Sequence, residues 1–470
     1  MLRIDKPRCP RDAPRPRISR PKAYMFEAVW FLLIGGLLIF MGLARSVIAG
    51  LPMTGAMVYL AFGFIIGPAG LGLLNVDLYK DAHVLRLLAE TGLLISLFSI
   101  GMHLRIPLGS SRWRLVLRLA LPAMILTIVA MTLVGFYALG WTLGAALLAA
   151  AALAPTDPVL ANELRPREAG DDEPLRFALS GEGGANDGAA YPFVLIGLAV
   201  CNLGHPDAQS PATLAASLIW GVMGAVLVGW IMGTATEALV SRLRIRYEKA
   251  MGYEGFLALG LMSACYGVAL MIHGYAFLAV FAAGVALRRK EMRETGDATP
   301  QQTLDQVTHG DMHQAARHPE LAHAYLAESM MTFSVELEHL VELGMMLLIG
   351  SIVSIYWRDM LQWQSLVAVL ALFLVARPLS VWVSLMGTGT DRIQRLLAGW
   401  LGIRGVGTFF YLLLALENTD ADNVRPIAPV LLAVIVASVF LHGISASPLL
   451  ERYFRSGHKP AALPDRPKKE

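Results

Sequence analysis

Two acidic residues stand at the start of a long apolar stretch, in the segment SGEGGANDGAAYP at residues 180–192. Glu182 and Asp187 precede the run YPFVLIGLAV, which contains no charged residue. On a helix the two acids are five positions apart, so their side chains diverge by about 140° and meet different neighbours. A buried carboxylate is costly unless it binds a proton, a cation or a paired base. The segment therefore makes Asp187, beside Asn186, a functional candidate and predicts that Glu182 has a separate role.

A second candidate is the segment LAPTDPVLAN at residues 153–162, in which Pro155 and Pro158 flank Asp157. Proline removes a backbone donor and disrupts the hydrogen bonds of the preceding turn, which leaves carbonyl oxygens free. Such carbonyls, together with the Thr156 hydroxyl and the Asp157 carboxylate, are oxygen ligands of the kind that hard cations prefer. The segment predicts an interrupted helix that binds a cation. Alternatively, Asp157 caps the broken helix.

The third candidate is GWLGIRGVGTFFYL at residues 399–412, where glycines surround Arg404. Glycine lowers helix stability, so this segment also predicts an interruption. A buried guanidinium group needs a buried anion as its partner. We expect that anion to be Glu182, which would make the Glu182–Arg404 pair structural.

The composition of the chain places these residues in a membrane. Of 470 residues, 56% are hydrophobic and only 16% are charged, and the mean hydropathy is +0.55. A carboxylate near the bilayer midplane costs at least ~2.5 kcal/mol on insertion scales, so an acid kept there is a functional candidate. The three cysteines, Cys9, Cys201 and Cys265, indicate neither a disulfide framework nor a metal centre. We expect no resident cofactor.

Apolar stretches recur along the chain at the length of a membrane-spanning helix, roughly 20 residues. We predict an all-α polytopic membrane protein with about 13 transmembrane helices between residues 25 and 450. Strands are not expected, because the runs are longer than a barrel strand and lack period-two alternation. The predicted spans are 25–46, 53–69, 84–103, 115–138, 142–162, 176–201, 212–239, 254–272, 274–288, 336–356, 362–386, 393–417 and 426–448.

Basic residues alternate along the connections between these spans and predict the sidedness of the chain. The connections rich in Lys and Arg, and the basic tail at residues 451–470, are assigned to the cytoplasm. The basic residues in these connections are Arg105, Arg112 and Arg114; Arg165 and Arg167; Arg242, Arg244, Arg246 and Lys249; Arg288, Arg289, Lys290 and Arg293; and Arg392 and Arg395.

The N-terminal tail at residues 1–24 conflicts with this sidedness, because it is rich in Pro and Arg although an odd number of spans places it outside. Either one span is miscounted, or translation begins at Met25 and the tail is not part of the native fold. We favour the second explanation. The tail lacks an apolar core, so it is not a signal peptide.

A polar segment at residues 289–335 interrupts the apolar pattern and is predicted to be a cytoplasmic loop, partly helical or disordered. It contains His309, His313, His318 and His323. Histidine titrates near neutral pH, so the loop could sense pH. A solvated loop that happens to be rich in histidine is the interpretation we favour.

The predicted spans also suggest an internal repeat of opposite orientation, in which spans 1–6 correspond to spans 8–13. The interrupted fifth span then matches the interrupted twelfth, and paired interrupted helices indicate a transport site. The ordered set of TDP, E-x-x-x-N-D, GIRG and the closing FLHGISASPLLERY resembles the sodium/proton exchanger family, specifically bacterial NhaP-like monovalent cation:proton antiporters. The resemblance covers roughly residues 25–455.

This resemblance implies a fold with two crossed discontinuous helices, a homodimer, and an elevator-like motion of a core domain. It also implies that Asp187 alternately binds a proton or a cation, with Thr156 and Asp157 in the unwound span. The motif AETG makes Glu90 a further candidate. Family members often carry Ser where this chain has Gly183, so ion preference is not transferred.

We therefore expect a non-enzymatic antiporter of the cytoplasmic membrane that exchanges Na⁺, or alternatively K⁺ or Li⁺, for H⁺. Because only one carboxylate would cycle, the exchange is expected to be one for one and electroneutral, serving pH and cation homeostasis. Two alternatives are an intramembrane aspartyl protease, in which Asp157 and Asp187 share a proton, and a cation channel.

Overall fold

The structure, a computed structural model, describes residues 28, 31–39, 42, 53–105, 109–110, 112–157, 173–202, 211–247, 253–295 and 322–455. The chain divides into two units, Met1–Pro52 and Met53–Glu470. In the first unit, residues 31–39 are helical. The tail at residues 1–24, the histidines at 309, 313 and 318, and the tail after Arg455 lie outside the described residues.

The second unit is built from helices, which we number in chain order. They are α1 Gly55–Ile66, α2 Ala82–His103, α3 Arg112–Ala138, α4 Leu143–Leu153, α5 Pro174–Cys201, α6 Pro211–Tyr247, α7 Glu254–Met271, α8 Ala276–Thr295, α9 Ala322–Met360, α10 Trp363–Ser384, α11 Arg392–Trp400, α12 Val406–Asn418, α13 Ala421–Val424 and α14 Ala428–Arg455.

Each predicted span contains a helix of this structure, and the described residues include no strand. Eight of the described helices are long and apolar enough to cross a membrane, and three shorter apolar helices accompany them. The prediction of an all-α polytopic membrane protein is confirmed, whereas the count of thirteen spans stays a prediction. The predicted loop at 289–335 is shorter than expected, because α8 continues to Thr295 and α9 begins at Ala322.

The outer surface of the helices is apolar, as a lipid-facing surface must be. On α6, for example, Ile219, Met223, Leu227 and Ile231 are all more than half exposed and lie four residues apart on one face. Two buried apolar clusters lie inside, one centred on α2 and α6–α9 and the other on α3, α5, α10, α11 and α14.

Small residues bring α4 and α5 into backbone contact. A Cβ atom added at Gly197 of α5 would lie 2.9 Å from the Cα of Leu148 on α4, and one added at Gly144 would lie 2.8 Å from the backbone nitrogen of Cys201. The alanines of α4 are buried. This contact is close packing through the Gly/Ala-rich residues 144–154, and it sets α5 against the end of α4.

Helical structure stops at the two places where the sequence predicts interruptions. Helix α4 ends at Leu153, and residues 154–157 are not helical. Helices α11 and α12 are separated by the non-helical residues 401–405. Broken helices at membrane depth are tolerated where they are buried in protein or line a cavity, because their free backbone groups need partners.

Connections predicted to share a side of the membrane lie together. The ends of α3, α5, α10 and α11, all assigned to the cytoplasm, surround one cavity. Two connections assigned to the opposite side meet where Asn202 Nδ2 donates to the Asn418 carbonyl at 3.2 Å and Thr419 Oγ1 donates to Asn202 Oδ1 at 3.1 Å. This grouping agrees with the predicted sidedness.

Candidate ion-binding site

The two interruptions contact each other directly. The Asp157 backbone nitrogen donates to the Ile403 carbonyl at 2.8 Å, and Arg404 Nη1 donates to the Ala154 carbonyl at 2.7 Å. In return, the Val406 backbone nitrogen donates to Asp157 Oδ2. Each break therefore supplies partners for backbone groups that the other break leaves free.

Charges in this crossing complement the helix ends. Arg404 binds a carbonyl just beyond the C-terminal end of α4, where the helix dipole is negative, and Asp157 accepts from the first residue of α12, where it is positive. Asp157 therefore caps a helix, which is the alternative role predicted for it from the sequence. It caps the helix of the opposite break, however, not its own.

An amide and a hydroxyl join α5 to the first break. Asn186 Nδ2 donates to Thr156 Oγ1 at 2.8 Å, and both residues are buried. Because the amide nitrogen is used in this bond, Asn186 Oδ1 faces elsewhere and has no hydrogen-bond partner among the described residues. The predicted set Thr156, Asp157 and Asn186 is thus brought together around one crossing.

Asp187 is the buried acid of this crossing. The residue is 1% exposed, and neither carboxylate oxygen has a hydrogen-bond partner among the described residues. The Tyr411 hydroxyl donates to the backbone carbonyl of Asp187 and fixes this point of α5 against α12. One turn earlier on α12, Gly407 leaves room for the carboxylate, because an added Cβ would lie 2.9 Å from Asp187 Oδ1.

The predicted pair of Glu182 and Arg404 is wrong. Arg377 of α10 binds Glu182 with both ends of its guanidinium group, Nη1 to Oε1 at 2.5 Å and Nη2 to Oε2 at 2.7 Å. Arg377 Nη2 also donates to the Ala398 carbonyl at 3.2 Å. Both carboxylate oxygens of Glu182 are therefore taken by a two-pronged arginine contact, which is the geometry that a planar guanidinium favours. Arg404 instead donates to the Ala154 carbonyl, where the two interruptions cross.

Five buried charged groups interact in this region. The charges that act on Arg404 are those of Arg377, Glu182, Asp187 and Asp157, and those that act on Asp187 are Asp157 and Arg404. Three carboxylates and two guanidinium groups leave one negative charge when all are ionised. One proton or one monovalent cation neutralises that charge.

Glu90 is not among the charges that act on Asp187. Its carboxylate accepts from Arg86 Nη1 at 2.7 Å, and Arg86 Nε binds Glu417 at 2.5 Å. His83 Nδ1 lies 3.0 Å from the same Glu417. This group joins α2 to the end of α12, on the side opposite the basic connections, so the structure separates Glu90 from the crossing.

Four residues of the site were not predicted for these roles: Arg377, Gly407, Thr408 and Tyr411. The Thr408 hydroxyl is buried and has no hydrogen-bond partner among the described residues, so it is a candidate oxygen ligand beside Gly407. The sequence does place Gly407, Thr408 and Tyr411 within the glycine-rich third segment. A search of that segment for hydroxyl groups could have found the last two.

Two interrupted helices that cross at a buried acid define a class of protein, the ion-coupled secondary transporters. The profile of the family described as "Sodium/hydrogen exchanger, transmembrane" matches residues 34–452. This chain belongs to that family, which is a family of transporters.

Solved structures with a similar fold include the sodium proton antiporter MjNhaP1 from Methanocaldococcus jannaschii at pH 8. It aligns with a TM-score of 0.65 and 18% sequence identity, covering 91% of this chain and 99% of that one. The likeness confirms the predicted fold class.

Curated relatives match over shorter stretches. K(+) efflux antiporter 1, chloroplastic, from Arabidopsis thaliana is 31% identical over 127 residues, which are 27% of this chain and 10% of that protein. Na(+)/H(+) antiporter 2 from Zygosaccharomyces rouxii is 28% identical over 243 residues, covering 49% of this chain and 29% of the yeast protein. The chain thus matches less than a third of the length of either relative.

Proposed function

We propose that this protein exchanges one monovalent cation for one proton across the cytoplasmic membrane by loading Asp187 with one or the other. The observation that carries the proposal is a buried carboxylate with both oxygens unpaired among the described residues, at the crossing of two interrupted helices. The names of the similar antiporters mention sodium and potassium. We propose Na⁺ as the first candidate, with K⁺ and Li⁺ as alternatives.

The buried charges support exchange of one ion for one ion. With Asp187 ionised the group carries one net negative charge, which a bound cation or a bound proton cancels equally. The neutral oxygens of Asn186 and Thr408 are available as further ligands. The two loaded forms of the site therefore carry the same net charge.

Coupling follows from the cost of moving an unloaded site. A bare carboxylate costs at least ~2.5 kcal/mol near the membrane centre, whereas either loaded form is neutral. The loaded forms change access and the empty form does not, so uptake of one ion requires release of the other. Asp157, Arg404 and the pair Glu182–Arg377 keep the crossing in place during this exchange.

Cation-driven proton movement tests the proposal. In everted membrane vesicles containing a pH-sensitive dye, we expect addition of Na⁺, K⁺ or Li⁺ to dissipate a preformed proton gradient with at least one of the three. A cation gradient alone must also drive protons against their own gradient, which an antiporter can do and a channel cannot. If none of the three cations dissipates the proton gradient, the proposed function is contradicted.

The rate of exchange is expected to be nearly independent of membrane voltage. Moving one uncompensated charge through 100 mV changes the free energy by about 2.3 kcal/mol, so an electrogenic cycle would respond strongly. Proteoliposomes held at potentials between 0 and about −100 mV provide the measurement. A steep change in initial rate over this range would rule out one-for-one exchange while leaving antiport itself intact.

Replacing Gly407 with Ala is expected to weaken cation binding, because the new methyl group would press against Asp187 Oδ1, 2.9 Å away. We expect the half-saturating cation concentration to rise on the order of 10-fold or more, as when a group supporting a metal ligand is altered. Gly344→Ala is the matched control, since a Cβ at that position meets nothing within 4 Å. Equal cation dependence in the two variants would place the cation elsewhere.

The alternative functions lack comparable support. An aspartyl protease needs Asp157 and Asp187 to share a proton, yet Asp157 Oδ2 accepts the backbone N–H of Val406 as a helix cap. The homodimer and the elevator motion stay predictions from the family resemblance.

A further inference from the structure

A basic cavity lies at the ends of four helices, away from the crossing. Its volume is about 370 Å³, and it is formed where α3 and α5 begin and where the loop between α10 and α11 turns. The polar side chains that line it are those of Arg112, Arg114, Arg118, Thr388, Thr390 and Gln394. Among the described residues, three arginines and no acid line this cavity.

The arginines differ in what they already bind. Arg118 Nη1 donates to the carbonyls of Ser384 at 3.2 Å and Met386 at 2.5 Å, which anchors it beneath the loop. Arg114 is exposed and forms no hydrogen bond or ion pair with any described residue. Its five N–H donors are therefore available to a ligand.

The opposite wall is the loop Gly387-Thr388-Gly389-Thr390, whose side chains are already held in place. The Thr388 and Thr390 hydroxyl oxygens lie 2.9 Å apart, Thr388 Oγ1 donates to the Leu385 carbonyl at 2.7 Å, and Arg395 Nε donates to Thr390 Oγ1 at 3.0 Å. Gly387 and Gly389 have φ angles of 73° and 78°, which only glycine adopts readily. The wall is preformed, so a ligand would not have to order it.

We propose that this cavity binds a phosphate-bearing anion from the cytoplasmic side, either the headgroup of an anionic lipid or a soluble polyphosphate. Guanidinium groups match phosphate oxygens with paired hydrogen bonds, and Arg114 presents such a group at the cavity without a partner among the described residues. The volume admits a phosphate or diphosphate group together with water. The loop leads into α11, the helix that precedes the second interruption, and Pro174 begins α5, which carries Asp187. An anion held here would link helices that position the ion site.

Binding is tested on the full-length protein, independently of any transport. Delipidated protein in a neutral detergent is titrated with inorganic pyrophosphate by calorimetry, and nanodiscs of phosphatidylcholine with or without phosphatidylglycerol are compared by thermal melting. The test variant is Arg114→Gln. The matched control is Arg242→Gln, an exposed arginine of α6 that is also predicted to be cytoplasmic.

We expect Arg114→Gln to weaken pyrophosphate binding at least about 10-fold, or to remove the stabilisation by phosphatidylglycerol, while Arg242→Gln changes neither. A pyrophosphate response alone identifies a soluble ligand, and a lipid response alone identifies a headgroup. Absence of both responses in the wild type, or equal loss in the two variants, overturns the proposal. Both results stand apart from the exchange assay, so failure here leaves the proposed antiport untouched.

Discussion

The variant Asp187→Asn is expected to show no cation-dependent proton movement with Na⁺, K⁺ or Li⁺, down to the level of vesicles without the protein. Asn has nearly the shape of Asp but neither charge nor a titrating proton. Two carboxylates and two guanidiniums then remain in the buried group, which is neutral without any ion. Nothing remains for a proton or a cation to neutralise, so both half-cycles stop.

The fold of this variant should survive, because the change removes an unpaired buried charge and breaks no hydrogen bond of the Asp187 side chain among the described residues. Its melting temperature in detergent is expected to equal or exceed that of the wild type. Glu451→Gln, which alters an exposed acid at the end of α14, is the matched control and should exchange normally. Normal exchange by Asp187→Asn would remove the basis of the proposed mechanism.

The site could be located from the sequence because membranes make acids and broken helices conspicuous. Asp187 stands in a helix that is otherwise apolar, and the prolines around Asp157 and the glycines around Arg404 interrupt two further apolar runs. Each feature is costly in a bilayer and needs a compensating partner. The family resemblance implied that the two interruptions cross, but the prediction paired Arg404 with Glu182 instead of with the first interruption.

The partner of Glu182 could not be inferred in this way, since two buried arginines were available. Residues 371–376, just before Arg377, form a π-helical turn. Such a turn carries one extra residue, which rotates everything after it by about 100° relative to a regular helix. Hydropathy does not reveal that rotation, so the face on which Arg377 lies was hidden.

The ends of α8 and α9 were misjudged for a related reason. Their polar residues looked solvated, but His323 Nδ1 binds the buried Glu237 of α6, and Ser241 Oγ lies 3.0 Å from the same nitrogen. Arg105 Nε donates to the buried Glu291 at 3.2 Å. These partners lie on other parts of the chain, on α6 or just after α2, and a single helix's pattern cannot show that its charges are satisfied from elsewhere.

Replacing Arg377 with Met is expected to destabilise the protein by about 3–5 kcal/mol, because Glu182 would keep its charge in a fully buried position without a partner. Unfolding in a mixed detergent series, or the loss of the folded peak with temperature in size-exclusion chromatography, measures the change. Arg455→Met is the matched control, since it breaks an arginine–glutamate pair that is mostly exposed, and it should have little effect.

The double variant Glu182→Met and Arg377→Met distinguishes the destabilisation caused by an unpaired buried charge from the stabilisation that the ion pair itself contributes. Removing both charges leaves no uncompensated group, and two apolar side chains of similar volume fill the space, so stability should return close to that of the wild type. The double variant also leaves Asp157 and Asp187 facing Arg404 alone, which retains the net charge of −1 and the balance with one cation or one proton. We therefore expect it to fold and still exchange, at a reduced rate if the pair serves to keep α5 and α10 aligned.

A double variant no more stable than Arg377→Met alone would mean that Arg377 acts through its bond to the Ala398 carbonyl and not through Glu182.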